Sequence, residues 1–393
     1  MVTPEVRLLR EDEAAEAARQ DAVSFGIILN DDLVETCRSR IARGELWGAV
    51  GGDRILGYCQ ITTVDHWFGG RRVPCQHIAS VAVPPEHRGH GLASALMRAV
   101  AIRGAEDGLG LSLLFPSTTR LYRKLGWEHA GAYTRYRVAA WEVGVPGPRP
   151  PAMRPANGDA DWAAIMACYD RAAAQRTALA VRPDEVWEEL RKATYQYVLD
   201  GGEPGSLDAY ALFDHDHIPG NWRYTIAIRD WSAVSAAGLE ALVGFVAGHG
   251  SLGKDATFNS GWPEPWSLLV GEQHVRVDSG MFWMARGLDL AQAVAHRGFP
   301  PGLSAAVTVA VDDPLLPNAR GPWRLEVADG QGALHPTETA AVRLDARAVG
   351  PLFTGFHDPA QLALAGLVSG PPRALALLAA AFAGPPPLLV DFF

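Results

Sequence analysis

Apolar and polar positions alternate along this chain with two periods, and each change of period marks an element. Glu5 to Arg10 alternates residue by residue, as a half-buried strand does, and Glu11 to Val23 carries the spacing of a helix. Strand-like runs follow at Leu46 to Val50, Ile55 to Val64 and Val73 to Val83. The turns between them, Gly51-Gly52-Asp53 and Gly69-Gly70, have the chemistry antiparallel hairpins require. A helix over Leu92 to Glu106, a buried strand over Leu111 to Phe115 and a short helix over Thr118 to Leu125 come next, with terminal strands closing the unit. The order predicts a mixed sheet with helices, an α+β fold.

Beyond this unit the pattern breaks. Val143 to Pro151 is dense in proline and glycine and reads as a connector, and helical spacing restarts at Asp159. Strands at Ala209 to Phe213 and Trp222 to Arg229 before a helix at Ala236 to Ala247 suggest a degenerate repeat of the first unit, without a charged glycine loop. Its expected role is structural. A second change near Ala285 to Leu290 opens a third unit, with strands at Ala305 to Val311 and Arg324 to Val327 and helices at Leu362 to Val368 and Ala374 to Phe382. The expected division is 1–145, 150–287 and 288–393.

Composition narrows the classes. With 393 residues, 48% hydrophobic and 20% charged, the chain has apolar material for more than one packed core. Arg7, Arg10, Glu11, Asp12 and Glu13 interrupt any secretory apolar region, and the longest apolar run, Ala374 to Ala383, falls short of the ~20 residues a membrane span needs. The expectation is a cytoplasmic protein. Cys37, Cys59, Cys75 and Cys168 show no C-x-x-C spacing, so buried free thiols are expected, with neither disulfides nor a metal. The net charge of -9 disfavours nucleic acid and suits a cationic amine partner.

The richest stretch is Val81-Ala82-Val83-Pro84-Pro85-Glu86-His87-Arg88-Gly89-His90-Gly91-Leu92-Ala93-Ser94, a strand passing through a glycine turn into a helix. Backbone N–H groups converge at such a helix start, where they suit a pyrophosphate, and Gly89 and Gly91 allow close approach. Arg88-x-x-Gly91-x-Ala93 resembles the R/Q-x-x-G-x-G/A signature of GNAT acetyltransferases, and Val81-Ala82-Val83 matches the strand that pairs with the pantetheine arm in that family. Some thirty residues on, Ser117-Thr118-Thr119-Arg120-Leu121-Tyr122-Arg123-Lys124-Leu125-Gly126-Trp127 resembles the family's closing Y-x-K-x-G-F. The resemblance implies acetyl-CoA as co-substrate, no metal, cofactor contacts from Ser117 and Thr118, and Tyr122 as the acid that protonates the departing thiolate. A phenol with pKa about 10 keeps its proton at neutral pH and can supply it. A purely packing role for Tyr122, against Trp127 or the pantetheine, is the alternative.

As a whole, a GNAT unit, a degenerate GNAT-like middle and an α/β tail resemble the enhanced intracellular survival (Eis) family of acetyltransferases. In that family the third domain resembles a sterol carrier protein, and the carboxylate of the last residue, here Phe393, is the general base. The apolar run Leu388-Leu389-Val390 and Phe392-Phe393 fits a buried tail, and burial would raise a terminal carboxyl above its usual ~3.5. The resemblance further implies aminoglycoside, polyamine or lysine amines as acceptors and a homohexamer. This chain departs from the pattern in having Phe392 where an acidic residue is expected, with Asp391 one step earlier as a rival base.

Other signals fall to simpler readings. Gly248 to Gly253 fits G-x-G-x-x-G but follows a helix, where the dinucleotide fingerprint must follow a strand. Asp214-His215-Asp216-His217 reads as a solvated turn rather than a tetrahedral metal set. A second function class stays open: a hydrophobic-ligand binding protein whose GNAT unit is a scaffold.

Overall fold

The computed structural model describes residues 4–144 and 150–393, so Val145 to Arg149 of the expected connector lie outside the described residues. The first stretch holds β1 (Glu5–Leu8), α1 (Ala14–Phe25), α2 (Asp31–Ala42), β2 (Leu46–Gly51), β3 (Arg54–Phe68) and β4 (Arg71–Ala82). It continues with α3 (Leu92–Glu106), β5 (Leu111–Leu114), α4 (Thr119–Arg123) and β6 (Glu128–Ala139). Local chemistry sets the ends: Gly26 stops α1 in the left-handed region at φ 69°, and Asn30 starts α2 by accepting from the N–H of Leu33 at 2.9 Å.

The middle stretch holds β7 (Arg154–Pro155), α5 (Asp159–Ala174), α6 (Asp184–Leu190), β8 (Tyr195–Asp200) and β9 (Leu207–His217). It closes with β10 (Tyr224–Ala233), α7 (Ala236–Gly248), β11 (Gly253–Ser260) and β12 (Arg276–Gly287). All twelve strands form one sheet in the order β1-β2-β3-β4-β5-β12-β6-β11-β10-β9-β8-β7. The two halves match strand for strand, with parallel pairs β4–β5 and β10–β11 at corresponding places. Their final strands are exchanged. β12 pairs antiparallel with β5, from Met284 against Leu114 to Gly287 against Leu111, while β6 pairs antiparallel with β11. The terminal strands expected within the first unit are therefore one of its own and one from residues 276–287.

The third stretch holds α8 (Leu290–His296), β13 (Ala305–Asp312), β14 (Trp323–Ala328), β15 (Gln331–Pro336), β16 (Val342–Asp345), α9 (Ala346–Thr354), α10 (Pro359–Leu364), β17 (Val368–Ser369) and α11 (Pro372–Ala381). Its sheet runs β15-β14-β13-β16-β17. The helix expected through Val368 ends at Leu364, because Gly366 turns at φ 75° and Val368 then pairs with Leu344 of β16. Its core is continuous with the large sheet: Phe68, Leu113, Trp283 and Ala285 share one buried cluster with Val307, Val309, Leu344 and Phe353. A second cluster joins Leu96, Met97, Val100 and Ala101 of α3 to Ile78, Leu114, Tyr122 and Trp127. All four cysteines are buried free thiols. Among the described residues no helix is long and apolar enough to cross a membrane.

Candidate active site

β4 and β5 pair over only four residues, from Cys75 against Leu111 to Ile78 against Leu114, and then separate. Past that point β4 carries Val81 and Ala82 along an edge that β5 no longer covers. Ser80 interrupts β4 at φ 47°, and the register with β3 slips there, with Gln60 opposite Ala79 but Tyr58 opposite Ala82. Such a bulge re-aims the strand beside the cleft.

The loop from Val83 to Gly91 then leads into α3. Arg88 folds back, its Nε donating to the carbonyl of Val83 at 2.9 Å. Gly89 and Gly91 take φ 81° and 80°, which other residues rarely adopt, and nothing lies within 4 Å of where a Cβ would stand on either. Gly91 caps α3 without a side chain, and the first bond of the helix runs from Ala95 N–H to the Gly91 carbonyl at 2.9 Å. The N–H groups of Leu92, Ala93 and Ser94 are therefore first-turn donors without helical acceptors, open to an anion. The residues fit a pyrophosphate. The corresponding place in the second half does not: β10 reaches α7 through Val234 and Ser235 alone, and the Ser235 hydroxyl caps that helix by accepting from Gly238 N–H at 3.0 Å.

Thr118 stands at the start of α4 in extended conformation, and Ser117 precedes it. Tyr122, on α4, is 4% exposed and meets Trp127 edge-on with ring centroids 6.4 Å apart. Burial, with a smaller contribution from neighbouring Cys59, pushes its hydroxyl up to about 12, so it is protonated at neutral pH. The turn after Tyr122 is held from outside its own unit. Arg286 of β12 is buried, donates to the Leu125 carbonyl, and pairs with Asp313 at 2.7 and 2.8 Å. Gly126, at φ 93°, leaves room for that guanidinium, since a Cβ there would fall 1.7 Å from Arg286 Nη1.

The C-terminal tail crosses both halves of the sheet. Pro386, Leu388 and Val390 line a small hollow with Trp231, Asn259 and Gly261, where β10 and β11 separate. Leu388 N–H donates to the Thr177 carbonyl at 2.8 Å, and Leu388 also bridges Ala132 of β6. Asp391 accepts from Arg182 Nε at 2.9 and 3.1 Å, and the same buried guanidinium binds Asp230 of β10 at 2.7 and 2.9 Å. Phe393 then meets His77 of β4 and Phe115, at centroid distances of 3.5 and 5.3 Å. The expectation of a buried apolar tail needs one correction: Leu388 and Leu389 are buried, but Phe392 is 64% exposed, its ring tilted against Phe115 at a centroid distance of 4.6 Å.

Asp391, Phe392 and Phe393 line a cavity of about 840 Å³ together with Thr62, His77, Arg182 and Glu185. His77, His66 and Arg182 gave no signal in the sequence, being single residues without motif spacing. The Asp214-to-His217 segment is strand rather than turn, lying in β9 against β10, with His215 stacked on Tyr224 at 4.0 Å. Among the described residues no three His, Cys, Asp or Glu side chains gather as a metal site.

A parallel strand pair that separates beside a glycine-turned helix start, with a buried tyrosine one strand later, defines an acyltransferase of the GNAT class. Family models of the acetyltransferase (GNAT) domain match residues 5–130 and again 178–286, and a sterol carrier protein domain matches 290–390. The GCN5-related N-acetyltransferase from Kribbella flavida is 32% identical, with a TM-score of 0.86 over 100% of this chain and 99% of that one. N-acetyltransferase Eis of Mycobacterium tuberculosis is 26% identical over 88% of this chain and 87% of its own length. The structure of Eis1 from Mycobacterium abscessus shares the fold, at 24% identity, TM-score 0.82 and coverage of 99% and 100%. The chain belongs to the GCN5-related N-acetyltransferases, and along nearly its whole length it is similar to the Eis acetyltransferases.

Proposed function

We propose that this N-acetyltransferase moves the acetyl group of acetyl-CoA to a primary amine of an aminoglycoside, a polyamine or a lysine side chain, by direct attack of the amine on the thioester. Val81 to Val83 and Arg88 to Ser94 hold the co-substrate, with further contacts from Ser117 and Thr118 at the start of α4. Tyr122 protonates the departing thiolate. The α-carboxylate of Phe393 takes the proton of the incoming amine, which arrives as an ammonium with pKa about 10.4. The observation that carries this reading is the path of the tail, which ends with the Phe393 ring against β4 at the cleft.

Asp391 is the rival base, and its carboxylate is already bound by Arg182. The two are separated by extension. One Ala appended after Phe393 moves the carboxylate by up to about 3.5 Å and leaves every side chain in place. Turnover should fall about 10²-fold in that variant, and less in Asp391→Asn. The reverse ranking, with folding and acetyl-CoA binding verified, would transfer the role to Asp391. A free-thiol assay across kanamycin-type aminoglycosides, spermidine and lysyl peptides ranks the acceptors, and sedimentation tests the homohexamer.

Hydrophobic-ligand carriage has less support. The hollow inside the third unit, lined by Leu290, Val309, Leu325, Leu344, Phe353 and Phe382 among others, is about 50 Å³. Small-molecule sites occupy roughly 300 Å³ or more.

A further inference from the structure

As the proposed carrier of the base, Phe393 is positioned by Phe392 and by what its ring touches. Chain ends fray unless something ties them down, and a base must sit within hydrogen-bond reach of the proton it removes. The ring stacked closest on Phe393 is His77, with planes 9° apart and centroids at 3.5 Å, against 5.3 Å for Phe115.

His77 is itself held. His66 Nδ1 lies 2.7 Å from the carbonyl oxygen of Ala178, and His66 Nε2 lies 2.6 Å from His77 Nε2. A carbonyl only accepts, so the hydrogen of His66 is on Nδ1. Burial pushes His66 down to about 4 and His77 well below the ordinary imidazole range, so both rings are neutral near pH 7. With Nδ1 of His66 donating, its Nε2 is the acceptor and His77 Nε2–H is the donor. Both bonds have one direction, and together they fix both ring planes. The chain of contacts crosses the molecule: Ala178 belongs to the central half, β3 and β4 carry the histidines, and Phe393 ends the third unit. A hydrocarbon pair would fill the same space. A satisfied polar pair adds orientation, because its geometry has one solution.

We propose that His77 is a positioning residue: its imidazole, anchored through His66 to the Ala178 carbonyl, clamps the Phe393 ring and thereby holds the terminal carboxylate at the incoming amine. The inference rests on the carboxylate of Phe393 being the base. It is distinct from any proton transfer by His77 itself.

The test uses the full chain with four changes: His77→Ala, His77→Phe, His77→Asn and removal of Phe393. Steady-state turnover is measured with a primary amine and acetyl-CoA, while melting and calorimetry confirm folding and co-substrate affinity. His77→Ala should lower kcat on the order of 10- to 100-fold, the scale of a misplaced reacting group, with KM for acetyl-CoA unchanged within about twofold. His77→Phe keeps the stacked ring and should recover most of that loss. His77→Asn keeps a donor toward His66 but loses the ring, and should resemble His77→Ala. In the chain lacking Phe393, adding His77→Ala should cost nothing further, because nothing is left to clamp.

If the two losses instead multiply, or if Asn rescues and Phe does not, the clamp is wrong. Full turnover without Phe393 would remove the terminal base and the clamp with it. A crippled Phe393 deletion beside an unaffected His77→Ala would overturn the clamp alone and leave the base standing.

Discussion

Burial of Tyr122 holds its hydroxyl above the ordinary range, at about 12. As a proton donor it becomes ineffective only when it ionises, so its descending limb should come as pH rises through about 12, not 10. Turnover measured up to pH 10.5 should therefore show no phenol limb, and a limb near 10 would point to a more exposed acid. Tyr122→Phe keeps the ring against Trp127 and should lower kcat by about 10²-fold at unchanged acetyl-CoA affinity. Turnover equal to the parent, with chemistry shown to limit the rate, would return Tyr122 to a packing role. This residue was legible because its motif is local, from Tyr122 to Trp127. His77 was not, since a single histidine in a strand more often reads as a satisfied core residue, and its partners are His66 on the neighbouring strand and Phe393.

Among elements, the contrast between α3 and α7 is what supports the proposed placing of the co-substrate in the first half. Both helices follow the first strand of a parallel pair, yet one begins at an uncapped glycine and the other at a serine whose hydroxyl already accepts from the Gly238 N–H. Gly91→Glu imposes a side chain on φ 80° and sets a carboxylate where the pyrophosphate would lie. Calorimetry should show acetyl-CoA affinity reduced about 10²-fold or more, from like charge and lost close approach together. Unchanged affinity would remove the loop from the binding site. Among the elements that escaped the pattern reading, two did so for identifiable reasons. α9 carries Pro351 inside it, which ordinarily argues against a helix, and β17 is two residues long after a left-handed glycine.

At the scale of the molecule, the exchanged strands and the tail make three sequence units interdependent. The node is Arg182, buried between Asp230 of the central half and Asp391 of the tail, over the rings of Tyr169 and Trp187 at 3.9 and 4.9 Å. Burial works against its charge, but the two carboxylates more than compensate and keep it ionised. Arg182→Met would leave Asp230 buried without its partner, a loss of roughly 3–5 kcal/mol for a broken buried pair. The melting temperature should fall, and carboxypeptidase should release Phe393 faster than from the parent chain. A lower melting temperature with an equally protected terminus would mean that Arg182 supports the core but does not hold the tail.

By itself the sequence determined most elements of the first unit, the glycine turn at Arg88 to Ser94, the tyrosine signature and the apolar chain end. Each rests on residues within a few positions of one another, where backbone period, turn chemistry and helix-end donors act directly. Only the tertiary structure decided that β12 lies between β5 and β6, that Arg182 reaches across 209 residues to Asp391, and that His77 meets Phe393. Alternation tells a strand which face to bury but not which strand lies beside it. That choice follows from the packing of the whole sheet and of the third unit against it.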